Sequence, residues 1–85
     1  MSGGFGRQLE RTYENIGTVL AAAGADWHNV VKLTVYLTDM SYQNELNTKT
    51  HSIFGKESPP PRTLIGVSCL SHEDMLVEID ATACI

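Results

Sequence analysis

The sequence predicts one small α+β domain of order αβαββ, with two helices covering one face of a mixed three-stranded sheet. Three observations carry this reading. Residues 30–40, VVKLTVYLTDM, alternate with period two in β-branched and aromatic side chains, as a strand with one buried face does. The segment before them carries apolar residues at helical spacing, and so does the segment after them. Beyond a run of three prolines, two more alternating stretches are separated by a short polar loop.

The first helix is expected over residues 6–23. Leu9, Tyr13, Ile16, Leu20 and Ala23 form one apolar stripe, while Arg7, Glu10, Arg11, Glu14 and Asn15 form the wet face. Ala21-Ala22-Ala23 favours helix, and Gly24 supplies the left-handed residue that ends it. Gly17 costs roughly 1 kcal/mol relative to alanine inside a helix, so a close approach to the sheet is expected there. Asp26 is expected to cap a single turn through Trp27 and His28.

In the central strand, Val31, Leu33, Val35 and Leu37 are expected to face the helices, and Lys32, Thr34, Tyr36 and Thr38 the other side. The second helix is placed at residues 41–54, capped by Asp39 or Ser41 and ended by Gly55, with Tyr42, Leu46, Thr50 and Ile53 as its stripe. Pro59-Pro60-Pro61 forces an extended approach to a second strand at 62–68. There Thr63, Ile65 and Val67 share one parity, and Arg62, Leu64, Gly66 and Ser68 the other. A third strand at 75–83 puts Met75, Val77, Ile79 and Ala81 on one side, and Leu76, Glu78, Asp80 and Thr82 on the other. A right-handed crossover makes the first two strands parallel, and the short 69–74 link reverses the third relative to the second. The uncovered face is expected to carry Lys32, Thr34, Tyr36, Arg62, Leu64, Glu78, Asp80 and Thr82, a mixed surface suited to a subunit interface.

At 85 residues the chain is a single domain, residues 1–85, and its 42% hydrophobic content is that of an ordinary globular protein. A formal net charge of -4 argues against nucleic acid as partner, since phosphate binding needs a basic patch. No apolar run is long enough to span a membrane, and no basic-then-apolar leader opens the sequence, so a cytoplasmic protein is expected. Residues 1–4 read as a flexible start. Cys69 and Cys84 are too few for a disulfide framework and read as reduced thiols. His28, His51 and His72 fall in separate elements, and Cys69-x-x-His72 is half of a zinc spacing without its second half; no metal is expected.

Four stretches together resemble the Rid (YjgF/RidA) family of reactive-intermediate deaminases, known also as L-PSP endoribonucleases. They are ENIGTVLAAAGADWHNVVKLTVYLTDM at 14–40, the segment at 47–54, PPPRT at 59–63 and LVEIDATA at 76–83. The resemblance implies a chorismate mutase-like fold assembled as a trimer, with uncovered sheet faces packed about the threefold axis and a ligand cleft between neighbouring subunits. It implies cofactor-free hydrolysis of 2-imino or enamino acids to 2-keto acids and ammonia. It also implies a site built on Arg62, Glu78 and Asn47. Relative to the family the chain lacks N-terminal strands that contribute to the same cleft; either it is a natural remnant, or partner chains supply what is lacking. The residue two after the arginine, often cysteine or threonine in the family, is Leu64.

The chemistry asked of these residues is modest. Arg62 offers a planar fork for a substrate carboxylate, and Glu78 can hold or deprotonate a water beside the imine carbon. Strand parity is expected to point both to the same face. Set against this, an arginine after a proline run is commonly a surface residue, Glu78 a solvated strand carboxylate and Asn47 a plain polar helix position. Lys32 and Tyr36, two apart on one face, could line the cleft or fill the oligomer seam, and the seam is favoured. Besides the deaminase, two functions remain open: a non-catalytic oligomeric module binding small carboxylates, and RNA cleavage, against which the acidic balance and the lack of an aromatic-basic stripe speak.

Overall fold

The computed structural model describes residues 4–55 and 59–84; residues 1–3 of the expected flexible start lie outside them. Its elements are α1 (Phe5–Ala22), β1 (Val30–Leu37), α2 (Gln43–Phe54), β2 (Arg62–Gly66) and β3 (Val77–Ala83), with single 3-10 turns at Trp27–Asn29 and Met40–Tyr42. The sheet order is β2-β1-β3, so β1 is central; β2 pairs with it parallel and β3 antiparallel. The αβαββ order and the mixed sheet with two helices on one face are those the sequence predicts.

Both helix ends follow from their glycines. Gly24 has φ 76° and Gly55 φ 62°, conformations that cost a glycine nothing. At the end of α1, Ala25 N–H donates to Leu20 O and Gly24 N–H to Ala21 O, the paired bonds of a Schellman cap. Asp26 caps the following turn, accepting from His28 N–H at 2.8 Å, while Asn29 Oδ1 accepts from Asp26 N–H. Asp39 accepts from Ser41 N–H at 2.9 Å and so caps the 3-10 turn ahead of α2 rather than α2 itself. Those bonds to Ser41 hold the Asp39 carboxyl below its ordinary pKa.

The core lies between the helices and the covered face of the sheet, with Leu9, Leu33, Val35, Leu37 and Leu46 fully enclosed. Each such side chain contributes about 1.5–3 kcal/mol on removal from water. Aromatic contacts fix α2 against α1 at both ends. Phe5 stacks on Tyr42 at 4.6 Å, while Tyr13, Trp27 and Phe54 meet edge to face at 5.1–5.8 Å.

Several expectations need correction. Val31 is 52% exposed and Val30 is buried, because β1 carries one extra residue between Val30↔Ala83 and Lys32↔Thr82. The bulge leaves Val31 unpaired and turns it outward. Ile53 is exposed, and Phe54 takes its inward place. Ala23 is exposed too, while Phe5 and Gln8 join the buried stripe of α1. A Cβ on Gly17 would lie 3.7 Å from Trp27 Nε1, an ordinary contact, so no close approach to the sheet explains this glycine. Most important, Arg62 pairs with Leu33 and Leu64 with Val35, which puts both on the helix-covered face; Thr63 and Ile65 take their places on the open one. Leu76, expected on the open face, packs against the core.

Gln8 does work that apolar periodicity cannot reveal. Its Nε2 donates to Asp74 O at 3.0 Å and its Oε1 accepts from Leu76 N–H at 2.8 Å, strapping the chain ahead of β3 to α1. Replacing Gln8 by leucine should keep the volume and leave both backbone groups unpaired. We expect a loss of about 2 kcal/mol in urea unfolding, from two partly buried polar groups at roughly 1 kcal/mol each, the low end for an unpaired group. A loss below about 0.5 kcal/mol, the size of an ordinary surface substitution, would contradict this role.

Candidate functional site

Arg62 opens β2 immediately after the three prolines, and its register opposite Leu33 turns its side chain toward α2. There its guanidinium donates to Asn47 Oδ1 on the outer flank of α2. The two residues border a cleft of about 270 Å³ between α2 and the 59–62 segment, lined also by Tyr13, Thr50, His51 and Pro60. Among the described residues no carboxylate lines it. In a chain of net charge -4 this is an electrostatic exception, suited to an anion.

The cleft's floor is polar. Tyr13 and Thr50 are both buried, and their hydroxyl oxygens lie 3.2 Å apart in a hydrogen bond. Burial pushes the Tyr13 pKa up, against the smaller opposing effects of the Thr50 bond and the Arg62 charge. Both residues lie on the expected apolar stripes, so their inward orientation was legible; their pairing was not.

Glu78 lies elsewhere. It pairs with Tyr36 across β1 on the open face, beside Asp80, which pairs with Thr34. The expectation that Arg62 and Glu78 share a face is therefore wrong within one chain: they stand on opposite sides of the sheet. Strand alternation fixes relative parity within each strand, and register decides which parity is covered. Tyr36 reports the acidity of its surroundings. Desolvation, then the charge and hydrogen bonding of Asp80, then the charge of Glu78, raise its pKa. The open face thus combines two carboxylates and a tyrosine with the half-exposed apolar groups of Val31 and Ile65. Of the residues singled out from sequence, Arg62 and Asn47 come together and Glu78 does not join them.

Residues 1–85 match the family described as Endoribonuclease L-PSP. The chain belongs to that family. The resemblance read from residues 14–40, 47–54, 59–63 and 76–83 to Rid proteins is thereby borne out. A RutC family protein of Synechocystis sp. is 40% identical over 76 residues, 89% of this chain and 58% of that protein. The 2-iminobutanoate/2-iminopropanoate deaminase of Homo sapiens is 35% identical over 83 residues, 98% of this chain and 59% of that enzyme. The crystal structure of RidA from the Antarctic bacterium Psychrobacter sp. superposes with a TM-score of 0.89 at 33% identity, covering all of this chain and 68% of that one. The L-PSP family chain described here thus spans about three fifths of the length of these curated relatives. No helix among the described residues is long and apolar enough to cross a membrane.

The raised pKa of Tyr13 has a consequence for stability. The folded chain keeps this proton at pH values where the unfolded chain, with a tyrosine pKa of 10.0, has lost it. The unfolded state then binds fewer protons, so the contribution is intact below pH 10 and is lost as pH rises through the folded value. Urea midpoints taken from about pH 9 to about pH 11 should fall less steeply in Tyr13→Phe than in wild type. Equal slopes would contradict a buried, protonated Tyr13.

Proposed function

We propose that this chain binds small 2-oxo and 2-imino carboxylates through Arg62, and that an oligomer of it hydrolyses imino acids with Glu78 positioning or deprotonating water. The observation that carries the reading is a cleft with no carboxylate among the described residues, in which Asn47 holds the Arg62 guanidinium. An arginine so held loses little freedom on forming two parallel bonds to a carboxylate. The deaminase relative of Homo sapiens supports the reaction class.

Glu78 cannot reach a ligand on Arg62 from the opposite face of its own sheet, so the proposal requires a second copy. The open face offers Tyr36, Val31 and Ile65 as apolar contacts, and a trimer is the assembly the family resemblance favours. A neighbour's open face set beside the Arg62 cleft would bring a carboxylate to it. Neither metal nor organic cofactor is called on, and a soluble cytoplasmic setting fits the reading.

A second reading is favoured by the same separation of Arg62 from Glu78: a non-catalytic oligomeric module that binds small carboxylates. RNA cleavage, the third possibility, draws no support from an acidic chain. The first two part on a direct assay of imine hydrolysis with freshly generated 2-iminopropanoate, alongside calorimetric binding of pyruvate. Arg62→Lys should weaken pyruvate binding about tenfold, since the bidentate fork is lost. Glu78→Gln should lower the hydrolysis rate by roughly a hundredfold or more while leaving pyruvate affinity nearly unchanged, as a general base acts in the transition state. Full activity in Glu78→Gln would remove the base from the account. Binding without any wild-type turnover would leave the binding module.

A further inference from the structure

The Tyr13–Thr50 pair has one proton more than it uses. Two hydroxyls carry two hydrogens, and their mutual bond consumes one. Among the described residues neither hydroxyl makes another hydrogen bond, and both residues line the cleft that Arg62 borders. Leaving a donor unpaired in so buried a place is costly, unless an acceptor arrives with the ligand. The Arg62 charge acts on the Tyr13 oxygen, so fork and hydroxyl serve one small volume. Aliphatic walls come from Leu33 and the prolines.

We propose that the Tyr13–Thr50 hydroxyl pair is a specificity-determining donor, delivering its spare proton to the oxygen or nitrogen double-bonded to C2 of a carboxylate held on Arg62. The inference rests on the Arg62 reading above and adds to it the selection of 2-oxo and 2-imino acids over plain carboxylates. In such acids the acceptor on C2 is adjacent to the carboxylate, so one fork and one hydroxyl proton reach both. A saturated acid of the same length fills the cleft but leaves the hydroxyl proton without a partner, and buried polar groups reject ligands in that way.

The test compares pyruvate with propionate by calorimetry on the full chain. Wild type should bind pyruvate about five- to tenfold more tightly, the worth of one hydrogen bond between neutral groups. The double variant Tyr13→Phe/Thr50→Val removes both hydroxyls at nearly constant volume. It should bind the two acids equally, since propionate no longer strands a buried hydroxyl. Thr50→Val alone frees the Tyr13 proton and should keep the preference; loss of the preference in this arm would overturn the inference even if the double variant fails to fold. Equal wild-type affinities, a preference that survives in the folded double variant, or its loss in Thr50→Val would each overturn the inference and leave Arg62 as the anchor. Failure of wild type to bind either acid would instead overturn the Arg62 reading, and this inference with it.

Discussion

Double pairing of β1 is the constraint on which the remaining structure depends. A strand hydrogen-bonded on both edges imposes its own facing on its neighbours, residue by residue. Because Leu33, Val35 and Leu37 must face the helices, Arg62 and Leu64 face them as well, and so do Val77 and Ile79. The same rule sends Tyr36, Glu78 and Asp80 to the open side. One buried alternation thus divides the polar residues of the chain into two chemical surfaces. On one side an arginine meets the flank of α2; on the other, two carboxylates crowd a tyrosine.

The cleft depends on how firmly α2 is held. Phe5 on Tyr42 and Tyr13 on Phe54 pin its two ends to α1, and the Lys49–Glu10 pair at 2.9 Å adds little at the surface. With α2 fixed, Asn47 and Thr50 stand one turn apart facing the start of β2. Asn47 orients Arg62 from outside, and Thr50 meets Tyr13 beneath it. The prolines at 59–61 deliver Arg62 in an extended conformation, which keeps the cleft open on that side. The shape of the cleft is a matter of two packed elements and one register.

Much of this was legible in the residues, for identifiable reasons. Gly24, Gly55, Asp26 and Asp39 each meet a local demand that few other residues satisfy, so turns and helix ends could be read directly. The periodicity of β1 was unambiguous from Leu33 onward. It failed at Val31, because a bulge depends on pairing with a distant strand, and Val30 and Val31 are the same residue. The face of β2 was not legible, since RTLIGV has Leu64 on one parity and Ile65 on the other, equally apolar. Register against β1 breaks that tie, and with it the assumption that Arg62 and Glu78 meet within one chain. Gln8 was hidden because a buried glutamine is indistinguishable from a wet one until its backbone partners are known. Its place one turn from Phe5 and beside Leu9 was the available hint.

The central claim is that a working site takes Arg62 from one copy and Glu78 from another. Mixing two impaired variants, Arg62→Ala and Glu78→Gln, under conditions that exchange subunits tests it most directly. Mixed oligomers then contain sites with both native residues. The account predicts that imine hydrolysis, severely lowered in either variant alone, returns in the mixture to a sizeable fraction of the wild-type rate. A mixture that stays as impaired as its components, with subunit exchange confirmed by mass spectrometry and wild type active in parallel, would contradict it.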